Sequence, residues 1–99
     1  MRNAVRFPLH FKVMVETEAG VIEAETEDIS STGVLFLMPM SPEINTRISW
    51  SMVMPAAATG AARDIVVRCT GRVVWNAPGT GLRRVAAVID SYRIAEAAR

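Results

Sequence analysis

The chain has 99 residues, of which 51% are hydrophobic and 21% charged. That suits one globular domain with a single modest core and excludes a disordered or two-domain chain. Eleven basic side chains against ten acidic ones leave a net charge of +1, too little to hold a nucleic-acid polymer by charge alone, although a local basic patch stays compatible.

The first residues, Met1 to Arg6, lack the apolar run of a signal peptide, and no stretch approaches the roughly 20 apolar residues of a membrane span. With one cysteine, Cys69, and hence no internal disulfide, a cytoplasmic location without membrane insertion is expected. From Leu9 the pattern alternates: Leu9, Phe11, Val13 and Val15 share one face, and His10, Lys12, Met14 and Glu16 the other, which predicts a half-buried strand. After a turn at Ala19-Gly20, a second strand puts Ile22, Ala24 and Thr26 inward and Glu23, Glu25 and Glu27 outward. Continued alternation would bury Asp28 and expose Ile29, so a bulge or bend is expected near Asp28.

A short strand, apolar on both faces, follows over Val34 to Met38. Another runs from Arg47 to Met54 with Ile48, Trp50, Met52 and Met54 on one face, and a long one from about Arg63 to Trp75. Asn76 to Gly81 is turn punctuation, and a last strand covers about Leu82 to Ile89. Ser91 as an N-cap with helix formers behind it predicts a short helix over 91–98. Short strands at hairpin spacing without intervening helices indicate an all-β fold, with a closed antiparallel barrel preferred because closure removes exposed edges. The expected organisation is a single domain over 1–99: a flexible segment at 1–8, a barrel over 9–90 and the terminal helix.

Catalysis finds no support. His10 stands alone on a polar face, Cys69 has no base beside it in sequence, and no pair of carboxylates stands out as an acid/base couple. No HExxH, paired CxxC or phosphate-cradling glycine loop is present, so the chain is expected not to be an enzyme and to carry no metal or cofactor. Trp50, Trp75, Phe11 and Phe36 read as core or barrel-end packing, with Trp75 near enough to a strand end to flank a site. Cys69 reads as a small buried hydrophobe and Arg83-Arg84 as a solvated pair.

Two motifs remain. Arg2 and Arg6 form an RxxxR, which alone reads as two solvated arginines; Asp28, Ser30 and Gly33 form a DxSxxG, which alone reads as a capped turn. The hairpin from Leu9 to Glu27 separates them, so a chain leaving the barrel near Arg6 and returning by Asp28 brings both to one rim. Arginine forks fit phosphate oxygens and the O6/N7 edge of guanine. A carboxylate accepts from the opposite guanine edge, and hydroxyls and backbone N–H groups hold phosphate oxygens. The chemistry points to a guanine nucleotide held without hydrolysis.

In this order, and followed by Gly71-Arg72-Val73-Val74-Trp75 as a GxVxW strand, the motifs resemble those of the PilZ domain, the bacterial receptor module for cyclic di-GMP. The resemblance spans nearly the whole chain. It implies a six-stranded antiparallel barrel, often with a C-terminal helix, and cyclic di-GMP as ligand. Arg2 and Arg6 would hold phosphates and a guanine edge, Asp28 would pair with guanine, Ser30 would contact phosphate or base, and Gly33 would permit the close turn. Binding would order the N-terminal segment, and an unidentified downstream protein would read the change. The stoichiometry, one cyclic di-GMP or an intercalated pair, stays open, as does the oligomeric state, a homodimer included. The alternative is a PilZ-like interaction module that binds no nucleotide; a barrel for single-stranded nucleic acid is disfavoured by near-neutral charge and few aromatic residues.

Overall fold

The structure, a computed structural model, describes residues 10–95 apart from 55, 57–59, 61 and 80. Six antiparallel strands form a closed barrel in the order β1-β2-β3-β6-β5-β4: β1 Lys12–Thr17, β2 Gly20–Ile29, β3 Gly33–Met38, β4 Arg47–Met54, β5 Ile65–Pro78 and β6 Arg83–Ala95. The expected flexible segment at 1–8 lies outside the described residues. Alternation decides which side of each strand is buried. Val13 and Val15 of β1, Ala24 and Thr26 of β2, and Ile48, Trp50 and Met52 of β4 turn inward, where they meet Phe36, Met38, Val73 and Val85. The Phe36 and Trp50 rings meet edge to face at 5.2 Å, the arrangement their quadrupoles favour.

The end of β2 behaves as its broken alternation requires. Thr26 faces Phe36 and Asp28 faces Leu35, so Glu27 is an extra residue in the β2–β3 ladder. The bulge keeps both Thr26 and Ile29 buried, while Glu27 and Asp28 are half-buried. Just before it, Thr26 anchors the start of the barrel: the Phe11 amide donates to Thr26 Oγ1 and the Thr26 amide to the Phe11 carbonyl, both at 2.8 Å.

Three expectations need correction. The residues 91–95 are strand, not the start of a helix over 91–98; the remaining residues, 96–98, lie outside the described part. Ser91 caps nothing: its hydroxyl lies 2.6 Å from that of Thr70, its partner across β5. A short helix is marginal without tertiary support, whereas pairing with β5 satisfies the backbone of the same residues and suits Tyr92 and Ile94. The turn at Asn76 to Gly81 is tighter than its composition suggests, because β5 continues to Pro78, which faces Arg83. Trp75 is not core: 46% of it is exposed. A second bulge, between Val73 and Trp75 opposite β6, turns it outward.

Two glycines let β6 pass close to its neighbours. A Cβ on Gly33 would sit 2.9 Å from the Ala87 carbonyl oxygen, and one on Gly71 would fall onto the Val88 carbonyl oxygen. Both obstacles are backbone, so they yield only by moving a strand. Gly71→Ala is therefore expected to lower stability by about 1–3 kcal/mol, the usual range for overpacking, read as an earlier urea midpoint.

Cys69 is buried at 3% exposure in the core, as expected, and burial pushes its thiol up to about 11. The thiolate is the reactive form, so Cys69 is expected to resist a thiol reagent in the native protein at pH 8 and to react at once in denaturant. A raised folded value means the neutral thiol favours the fold below the unfolded value, about 8.5. That contribution is lost as pH rises towards 11, and the melting temperature should fall across this window, less so in Cys69→Ala.

Candidate functional site

Strand polarity brings five things to one end of the barrel: the start of β1, the β2–β3 turn, the end of β4, the start of β5 and the C-terminal half of β6. At this end the segment Asp28 to Gly33 forms a serine-capped turn. Ser30 Oγ accepts from the amides of Thr32 and Gly33, each at 3.2 Å, and the Ser30 amide donates to the Gly33 carbonyl at 2.9 Å. The Thr32 carbonyl in turn accepts from the Ile89 amide at 2.9 Å, which fastens the turn to β6. The Ser30 hydroxyl proton has only long options, Thr32 Oγ1 at 3.3 Å and the Gly33 carbonyl at 3.4 Å, so it can swing to a better acceptor.

Of the two things a glycine offers here, a positive φ or room for close approach, Gly33 supplies the second. It has no positive φ; it is needed because the Ala87 carbonyl lies against it. Its role is to seat β6 beside β3. Asp28, Ser30 and Gly33 are thus brought together, whereas Arg2 and Arg6 lie outside the described residues.

The bulge also fixes what Asp28 looks across. In register, Asp28 faces Leu35, Leu35 faces Ala86, and Ala86 faces Trp75, a row running over β2, β3, β6 and β5. Neighbouring strands are about 4.8 Å apart, so the row is roughly 14 Å long. It lies on the outside of the barrel, because its neighbours Val34, Phe36, Val85 and Ala87 fill the core. Leu35 is nevertheless only 9% exposed and belongs to no part of the core cluster. Beside this row runs another, Gly33, Val88 and Arg72, in which Arg72 holds Asp90 through two contacts of 3.2 Å.

The result is an apolar strip with a carboxylate and hydroxyls at one end, an exposed indole at the other and a guanidinium alongside. The place of Trp75 near a strand end is enough to suggest that it flanks a site, whereas the strip depends on cross-strand register, which no single segment of sequence carries. Arg83 and Arg84 are not simply solvated: Arg84 holds Glu27 Oε1 at 3.2 Å, tying down the bulge, and Arg83 donates to Asn76 Oδ1 at 2.8 Å.

Among the described residues no group of three or more His, Cys, Asp or Glu side chains is placed to hold a metal, and no helix is long and apolar enough to cross a membrane. The family model described as PilZ domain matches residues 1–96. No curated protein matches the chain closely enough to stand as a relative.

Proposed function

The chain belongs to the PilZ domain family, and from that premise we propose that it is a cyclic di-GMP receptor and adaptor, whose occupied state is read by a partner protein. PilZ domains are generally binding modules for this nucleotide rather than enzymes. The observation that carries the reading is the bulge at Glu27, which turns Asp28 onto the outer strip at the barrel end where the chain enters β1.

Covalent reach supports the arginine half of the clamp. Arg6 is five residues from Phe11, so its Cα lies within about 18 Å of the Phe11 Cα. Phe11 is hydrogen-bonded to Thr26, two residues from Asp28. From there the Arg2 and Arg6 forks take phosphate oxygens and the O6/N7 edge of one guanine. Asp28 accepts from the N1–H and N2 amino group of a guanine, and the Ser30 hydroxyl donates to a phosphate oxygen once it leaves its long contacts.

The strip gives the bases an apolar floor at Leu35 and Ala86, and Trp75 offers a ring to stack on. Because the arginines precede β1, ligand capture draws the N-terminal segment onto the rim. That change of surface is what a downstream protein would recognise.

Isothermal titration with cyclic di-GMP should give saturable heat at a Kd well below 1 mM. Arg6→Ala and Asp28→Ala should each weaken it at least about tenfold, since each leaves charged or polar partners unmatched. Trp75→Ala should weaken it less and remove the ligand-dependent fluorescence change, because Trp50 is buried. No heat at high protein concentration would sink the reading in favour of a PilZ-like interaction module, and equal binding of GMP would assign a different nucleotide.

A further inference from the structure

β6 outlasts its partner on one side. β3 pairs with it only as far as Gly33 opposite Val88, and the last contact beyond that is the Ile89 amide to the Thr32 carbonyl. Asp90 is the extra residue of a bulge opposite Thr70 and Gly71, and from Ser91 to Ala95 the strand again pairs with β5, but among the described residues no strand borders its other edge. An uncovered edge presents unpaired N–H and C=O groups and is a template for a further strand.

The two faces of this extension differ. On the outer face Arg93 stands directly opposite Arg68, and both line a groove of about 380 Å³ together with Ser49, Thr70, Ser91 and Glu16. Like charges directly opposite each other on adjacent strands are destabilising. The barrel resolves a similar case nearby: Arg72 faces Arg47, and Asp90 answers Arg72. Among the described residues no carboxylate answers Arg68 or Arg93, and Glu16 across the groove pairs with neither.

On the inner face Tyr92 is 60% and Ile94 63% exposed. Tyr92 lines an apolar hollow of about 220 Å³ with Ile29, Met52, Met54, Val67 and Ile89. Ser30 and Ser31 of the DxSxxG turn close its rim.

A strand added to this edge would alternate its side chains between the two faces. We propose that β6 residues 90–95 form a docking edge for an extended segment of a partner protein in which acidic and apolar residues alternate. The acidic residues meet Arg93 and Arg68 on the outside. The apolar ones cover Tyr92 and Ile94 on the inside. Charge complementarity selects this occupant: the two arginines lack a carboxylate, and the incoming segment supplies it. Because Ser30 and Ser31 border the hollow, the docked segment lies against the turn that the nucleotide is proposed to grip.

The site stands apart from the nucleotide reading and is tested without nucleotide. The probe is the end-blocked octapeptide Gly-Glu-Val-Glu-Val-Glu-Thr-Gly, titrated into the 15N-labelled protein at low salt. Saturable shifts should centre on the 90–95 amides, with slowed hydrogen exchange there and a Kd below about 1 mM. Arg93→Glu and Arg68→Glu should each weaken binding by about tenfold or more at unchanged melting temperature; if either unfolds the protein, Arg93→Gln and Arg68→Gln take their place with a smaller loss. Raising the salt should weaken binding as well.

The proposal is overturned if no saturable shift appears at 90–95. It fails equally if the peptide with Lys in place of Glu binds as well, or if a single-stranded oligonucleotide binds the same arginines and the peptide does not. Cyclic di-GMP binding, measured separately on the same sample, can fail or succeed independently.

Discussion

The extra residue at Glu27 in the β2–β3 ladder is the constraint on which the rest of the site depends. Without it, strict alternation from Ile22, Ala24 and Thr26 would carry the Asp28 carboxylate into the core and expel Ile29. Burying an unpaired carboxylate costs several kcal/mol, so the sequence is compatible with a barrel only if the ladder slips there. The slip keeps Ile29 in the core and leaves Asp28 on a rim. Arg84, reaching across β3 to Glu27, holds the slipped residue from outside.

The approach of β6 to β3 and β5 then sets what that rim overlooks. Gly33 and Gly71 remove the Cβ atoms that would strike the Ala87 and Val88 carbonyls, so β6 lies close between its neighbours and aligns Asp28, Leu35, Ala86 and Trp75 in one row. Two glycines from separate motifs, DxSxxG and GxVxW, thus admit the same strand from its two sides. The glycine of the first motif shapes the site by seating a strand, and the serine shapes it by capping the turn. The Ser30 hydroxyl, with only long contacts, and the exposed Trp75 lie on the same side of the molecule as this row.

Much of this was legible in the residues. The strand at Arg47 to Met54, the inward sets of β1 and β2 and the bulge near Asp28 follow from period-2 patterning and its interruption, and the burial of Cys69 from a thiol with no base beside it in sequence. The C-terminal helix misled because Ser91 and the alanines carry good local helix signals, while pairing of Tyr92 and Ile94 with β5 is a long-range effect that local propensity does not contain. Trp75 misled for a related reason: a single-residue bulge at Val73–Trp75 reverses which face it occupies, and nothing in Gly71 to Trp75 announces that bulge. The outer strip and the uncovered edge of β6 were invisible because both depend on which strands are neighbours and how far each pairing runs.

The most direct test is a two-dimensional amide NMR titration of the 15N-labelled protein with cyclic di-GMP. Binding at this rim should give the largest shifts at Asp28 to Gly33 and along the row through Leu35, Ala86 and Trp75, with β1 and β4 nearly silent in the middle of their strands. Shifts centred instead on the β1–β4 face, or no shifts at saturating nucleotide, would contradict it.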